Sequence, residues 1–346
     1  MRLRLTLWLI ALCAVAFALG RWSGHRDALM NAAKRTPVAA TAPTGVKPAP
    51  HPVDPPPPAN DADEDSGPQD IAAVASYEDL MYAQPGLIDA SLAKLRAQTP
   101  GKTDLYALGF AGDAAENVFR NEVDYLPKLL AQRFGAEGRT MELVNSPATF
   151  EHTPLATRTN LYEALAGIAR KMDVDDDILL LFLTSHGSAD HEAYVEMGTL
   201  PLDQIQPGDL RDALDKAHIR WRIVVISACY SGGFIPALRD PYTLVITAAR
   251  GDRASFGCGS DSQLTWFGKA FLTDALNQTT DFHDAFRRAQ ALVSGWEKRD
   301  RQIPSDPQYW IGSAMQKKLD AWSATLAPGA PVPFKPAPIA RPASAR

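Results

Sequence analysis

The sequence predicts an α/β fold, a three-layer α/β/α sandwich built on a mostly parallel central sheet. Two observations carry this. Ile178–Thr184 (ILLLFLT) and Ile223–Ser227 (IVVIS) are continuously apolar rather than alternating, as strands covered by helices on both faces must be. Around them, extended and helical patterns alternate along the chain, the order that places parallel strands in one sheet with helical crossovers.

The chain opens with a basic start, Arg2 and Arg4, followed by an uncharged apolar run from Leu5 to Leu19. This pattern addresses a membrane. The small-residue spacing Ala16-Phe17-Ala18 suits a signal peptidase, so segment 1–24 reads either as a cleaved signal or as an anchor, and we expect an anchor with the bulk of the chain exported. Leu12, just before Cys13, lacks the small side chain of a lipid-attachment site. Segment 37–70 is rich in Pro, Ala, Asp and Thr, with Pro55–Pro58 and the acidic run Asp61–Asp65. It reads as an extended, semi-rigid spacer. In the lead-in, 71–100, apolar residues recur at helical spacing (Ile71, Val74, Tyr77, then Leu87, Leu92, Leu95), and Pro85-Gly86 interrupts them. Two helices are expected there.

The main domain spans 101–326. Leu105–Phe110 reads as a strand, Asn117–Phe134 as a helix, Met141–Val144 as a strand and Thr159–Lys171 as a helix, before the two apolar strands. Tyr242–Ala248 is a further strand, Leu264–Leu276 and Asp281–Trp296 are helices, and Gln308–Gly312 is a last short strand. The tail, 327–346, holds a second Pro-rich stretch, Pro328–Pro342, and reads as another spacer.

Composition narrows the function classes. With 346 residues, the chain can bury a core without disulfides, and 46% hydrophobic with 22% charged residues fits neither a polytopic membrane protein nor a wholly disordered one. A net charge of −5, with Lys and Arg scattered, argues against nucleic acid as a partner. Cys13, Cys229 and Cys258 allow at most one disulfide. No HExxH or CxxC spacing is present, and the Asp173–Asp177 run lacks the alternation and central glycine of a calcium loop, so neither a metal nor a cofactor is expected.

In open parallel sheets, ligands bind outside the carboxyl ends of the strands. The first apolar run ends in Ser185-His186-Gly187-Ser188, the second in Ala228-Cys229-Tyr230-Ser231-Gly232-Gly233. A histidine and a thiol therefore face one cleft. A thiolate is a strong nucleophile toward carbonyls and forms more readily beside an imidazole or a helix N-terminus, which Ser231–Leu238 would supply. Cys229 is the candidate nucleophile. An imidazole, with an ordinary pKa of about 6.5, suits proton transfer near neutrality, so His186 is the candidate acid and base. The backbone N–H groups of Gly187 and Cys229 are the candidate oxyanion donors. An inert packing cysteine and a simple His-Gly turn are the plainer readings of each motif alone. A hydrolase elbow would need glycines two residues either side of the nucleophile, where Ser227 and Ser231 stand.

The blocks Leu181–Ser188 (LFLTSHGS) and Val225–Phe234 (VISACYSGGF), in this order and at this separation, resemble the His-Gly and Ala-Cys blocks of legumain-type cysteine peptidases, relatives of caspases, gingipains and separase. The resemblance covers roughly Asp104 to Gly312 and is greatest to bacterial members. It implies a caspase-like fold, with His186 as catalytic histidine and Cys229 as nucleophile. It also suggests Asn117 as the residue orienting the histidine, with a helix N-cap as the alternative reading of that position. Legumains recognise asparagine through a pocket containing an acidic residue two before the nucleophile. Ser227 stands there and cannot supply that charge. Ser255 resembles a serine of the pocket wall, and Arg120 is a candidate basic member, with a loop serine and a helix-surface arginine as the plain alternatives.

The leading expectation is a membrane-tethered, exported cysteine endopeptidase acting on peptide or protein substrates, inner-membrane anchored with its catalytic domain in the periplasm, or secreted after signal cleavage. A non-catalytic binding or scaffold protein on the same fold is the alternative, as is a transamidase using the same site. Oligomeric state is not legible in the sequence.

Overall fold

The computed structural model describes residues 77–336 apart from 260. The predicted N-terminal anchor and Pro-rich linker lie outside the described residues, among which no helix is long and apolar enough to cross a membrane. The central sheet contains β1 (Leu105–Ala111), β2 (Thr140–Val144), β3 (Ile178–Thr184), β4 (Trp221–Ser227), β5 (Thr243–Thr247) and β6 (Gln308–Ile311), in the spatial order β2-β1-β3-β4-β5-β6. Every pairing is parallel except β5 with β6. The chain steps outward from β1 to β2, then returns to the other side of β1 as β3. The reversal opens a crevice above the carboxyl ends of β1 and β3.

Every residue of β1, β3 and β5 is buried, which explains their continuous apolar runs. On one face, Ile178, Leu180, Phe182, Ile223 and Val225 pack beneath α2 (Asn117–Phe134), α7 (Phe282–Arg299) and α8 (Ser313–Ser323). On the other, Leu179, Leu181, Leu183, Val224 and Ile226 meet α1 (Tyr77–Ala93), α3 (Arg158–Ala169), α4 (Pro207–Lys216) and α5 (Ile235–Leu238). Alternation along a strand thus divides the apolar runs between two helical layers. Thr157 caps α3 through a bond from the Asn160 N–H, and Asp281 caps α7 through one from the Asp284 N–H.

Four features depart from the sequence reading. The lead-in forms one helix, α1, running through Pro85. A proline leaves one carbonyl in the preceding turn without its helical donor, but Pro85 lies on the solvent side, and the buried face is anchored by Gln84, whose Oε1 accepts from Leu155 N–H and Asn160 Nδ2. The expected helix at Leu264–Leu276 begins as one turn, α6 (Trp266–Gly268), and continues as a π-helix over Lys269–Ala275. Helices α4 and α8 were not anticipated. Finally, the first part of the Pro-rich tail is no free spacer: Tyr125 donates to the Val332 carbonyl at 2.7 Å, Asn277 brackets Val332 through both its N–H and its carbonyl, and Phe334 stands edge-on to Tyr125. Val332 and Phe334 pack half-buried side chains against the core, and the backbone of Val332 finds side-chain partners.

Candidate active site

Strand β4 ends at Ser227, and the chain turns through Ala228, Cys229 and Tyr230 into a 3-10 turn, Ser231–Phe234, that leads into α5. Tyr230 takes the left-handed conformation (φ 56°, ψ 14°), which swings the chain sharply after the cysteine. Three bonds lock the turn: Tyr230 N–H to the Arg253 carbonyl at 2.7 Å, Gly232 N–H to the Ala249 carbonyl at 2.9 Å, and Ala249 N–H to Ser231 Oγ at 3.2 Å. Cys229 is half-buried, and its Sγ accepts from the Ser255 N–H at 3.2 Å, with Ser255 Oγ at 3.6 Å. Ser255 therefore lies against the candidate nucleophile.

The other half of the site is built at the end of β3. Ser185 N–H donates to the Ser227 carbonyl at 3.2 Å, tying the two strand ends together, and Ser185 Oγ donates to the Tyr194 carbonyl at 2.6 Å. Tyr194 N–H returns to the His186 carbonyl at 3.0 Å, so His186-Gly187 forms one edge of a small antiparallel ribbon with Ala193-Tyr194. The His186 ring meets Phe119 edge-on, centroids 5.1 Å apart. Gly187 is sterically required: a Cβ there would sit 2.2 Å from the Cys229 carbonyl oxygen. Among the described residues, no acceptor takes the N–H of Gly187 or of Cys229.

Among the described residues, neither Asn117 nor Arg120 hydrogen-bonds His186 or Cys229. Asn117 is exposed at the first position of α2, where its side chain hydrogen-bonds none of the described residues, and the residue at the N-cap is Glu116. From the same turn of α2, Phe119 packs its ring against His186. Burial pushes the Glu116 carboxyl up from its ordinary value, and the opposing pull of His186 places this acid in electrostatic range of the imidazole. Arg120 pairs with Asp124 at 3.2 Å and lines a groove with Tyr125, Lys128, Glu142 and Pro333, between α2, edge strand β2 and the tail. Ser227 is buried, its Oγ 3.1 Å from Thr265 Oγ1.

Sequence reasoning missed Glu122, Thr184 and Thr265. Glu122 was detectable: Val118, Glu122 and Leu126 fall at four-residue intervals on the face of α2 that packs into the core, a carboxylate in an apolar row. The second thiol among the described residues, Cys258, packs against the core and is free, and burial, aided by the negative field of Cys229, pushes it up to about 11.

The arrangement offers a thiol, an imidazole and two unengaged N–H groups at one end of a parallel sheet, the parts needed for acyl transfer. A family model, the Peptidase C13 family, matches residues 105–318. No curated protein matches the chain. Among solved structures, it is similar to caspase-1 from Spodoptera frugiperda, with a TM-score of 0.43 and 16% identity over 61% of this chain and 87% of that one.

Proposed function

This chain belongs to the peptidase C13 family, the legumain-type cysteine peptidases, and from that premise we propose that it is an endopeptidase acting through a Cys229 acyl-enzyme. The Cys229 thiolate attacks the scissile carbonyl carbon, a C–S bond forms, and the carbonyl electron pair moves onto oxygen, where the N–H groups of Gly187 and Cys229 receive it. Collapse breaks the C–N bond as His186 passes its proton to the leaving amine. His186 then takes a proton from water, which attacks the acyl-enzyme and releases the thiolate.

The observation that carries this reading is the seating of Gly187 on the Cys229 carbonyl with no room for a side chain, which juxtaposes the histidine block with the cysteine block. The hydroxyl pair Ser227–Thr265 stands where legumain-type enzymes keep an acid, and this favours a preference other than strict asparagine. The apolar N-terminal run supports tethering to a membrane with the catalytic domain exported.

The test incubates the full chain, in detergent, with a diverse peptide library, and reads products by mass spectrometry beside Cys229→Ala. Internal cleavage by the wild type alone is expected. A folded, reduced wild type that cleaves nothing, or equal cleavage by Cys229→Ala, overturns the reading.

A further inference from the structure

We propose that Glu122 is a positioning residue of this site, a buried carboxylate that holds the His186-bearing end of β3 against the Cys229-bearing end of β4. The inference rests on the Cys229–His186 reading above. Glu122 is wholly buried in the middle of α2. Its Oε2 accepts from the Thr184 hydroxyl at 2.6 Å and its Oε1 from the Thr265 N–H at 2.8 Å. Thr265 Oγ1 lies 3.1 Å from Ser227 Oγ.

Thr184 and Ser227 are register partners across β3 and β4, each two residues before its candidate catalytic side chain. One carboxylate thus reaches the base of both catalytic segments, by one hydrogen bond to the first and through Thr265 to the second. Room for it is made on the opposite side: at Gly268 a Cβ would sit 2.0 Å from Glu122 Oε1.

Packing alone does not account for this residue. Burial pushes its carboxyl up to about 7 in spite of the hydrogen bonds from Thr184 and Thr265, and an apolar side chain would continue the Val118–Leu126 row without that desolvation cost. What a carboxylate adds is two acceptor oxygens for two donors on separate elements. Cys258, in the loop before Thr265, is within electrostatic range of Cys229, Glu116 and Glu122. A glutamine at 122 could keep both links, its carbonyl accepting from the Thr265 N–H and its amide donating to the Thr184 hydroxyl, whereas a methionine of similar length offers neither oxygen and loses both.

The test measures kcat and KM on a peptide cleaved by the wild type, and the rate of Cys229 carboxymethylation by iodoacetamide, read on the Cys229 peptide by mass. Full-length wild type, Glu122→Met, Thr184→Val and the double variant are compared, with unfolding midpoints in parallel. Small displacements of reacting groups are costly, so we expect each single variant to lower kcat by about thirtyfold with KM within about threefold, and to slow carboxymethylation. The double variant should fall no further, because both changes sever the same link. Wild-type kcat and alkylation in Glu122→Met, or single losses that multiply in the double variant, overturn the proposal. Should Glu122→Met fail to fold, Thr184→Val against wild type decides alone. Should the wild type cleave no peptide, the alkylation rates decide, so failure of the peptidase reading stays separate from failure of this one.

Discussion

The Ser255 N–H donates to Cys229 Sγ at 3.2 Å. The sulfur of the candidate nucleophile is therefore held from outside its own strand, by a loop already registered on the next residue through the Tyr230–Arg253 bond. The contact uses backbone, so it survives any change of side chain at 255 that keeps the main chain in place. The wall of the cleft and its reactive atom are thus fixed as one unit.

Removing His186 and removing Asn117 should have very different effects. His186→Ala is expected to lower turnover by about 10² to 10⁴, the usual contribution of a general acid and base. Asn117→Ala, at an exposed position whose side chain bonds none of the described residues, should stay within about threefold of wild type. Steady-state kinetics on one peptide substrate compares the two.

Gly187→Ala should inactivate without unfolding. The added methyl would meet the Cys229 carbonyl oxygen at 2.2 Å, so the ribbon must move away from the cysteine turn. We expect a loss of about 1 to 3 kcal/mol in stability, typical of overpacking, with a far larger fractional loss of kcat. Denaturant unfolding and kinetics on one preparation separate these effects.

Stability should depend on pH through Glu142. Burial, reinforced by the negative charge of Asp124, pushes this edge-strand carboxyl up to about 7. Its folded value lies above its unfolded one, so its contribution to stability is fully present below about 4.5 and is lost as pH rises through about 7. Glu142→Gln should match wild type at pH 4.5 and exceed it at pH 8, by about 1 to 2 kcal/mol after allowance for solvent on its open side. Denaturant melts at the two pH values measure this.

The tail should behave as part of the fold. Phe334→Ala removes the edge-on contact with Tyr125 and is expected to cost about 1 to 2 kcal/mol. Ending the chain after Ala327 should cost more, since Tyr125 and Asn277 then lose Val332. Thermal unfolding of the three forms checks the order.

Strands β3 and β4, and the His186 and Cys229 blocks at their ends, were legible because a strand buried on both faces leaves an uninterrupted apolar run whose end is easy to see. Helix α4 was harder, since only Leu210, Ala213 and Leu214 reach the core, too short a stripe to register as a period. Helix α8 does carry a stripe, Met315, Leu319 and Trp322, but it lies beside Pro-rich sequence that suggests extended chain. For Asn117 and Arg120, position along a helix was clear and facing was not: a shift of one or two residues turns a side chain by 100° or 200°, about 100° per residue. Glu122 shows the complementary case, where a charge inside an apolar row marked a buried function that pattern reading alone would count as an irregularity.

Tyr230 holds a left-handed backbone that a side chain with a Cβ adopts at a cost of about 1 to 2 kcal/mol. A glycine would relieve that cost, yet it would also let the chain leave the conformation that aims the preceding thiol. Selection for thermal robustness and selection for turnover therefore pull in opposite directions at this residue. Heat-hardened variants that acquire Tyr230→Gly should be slower enzymes than those stabilised elsewhere.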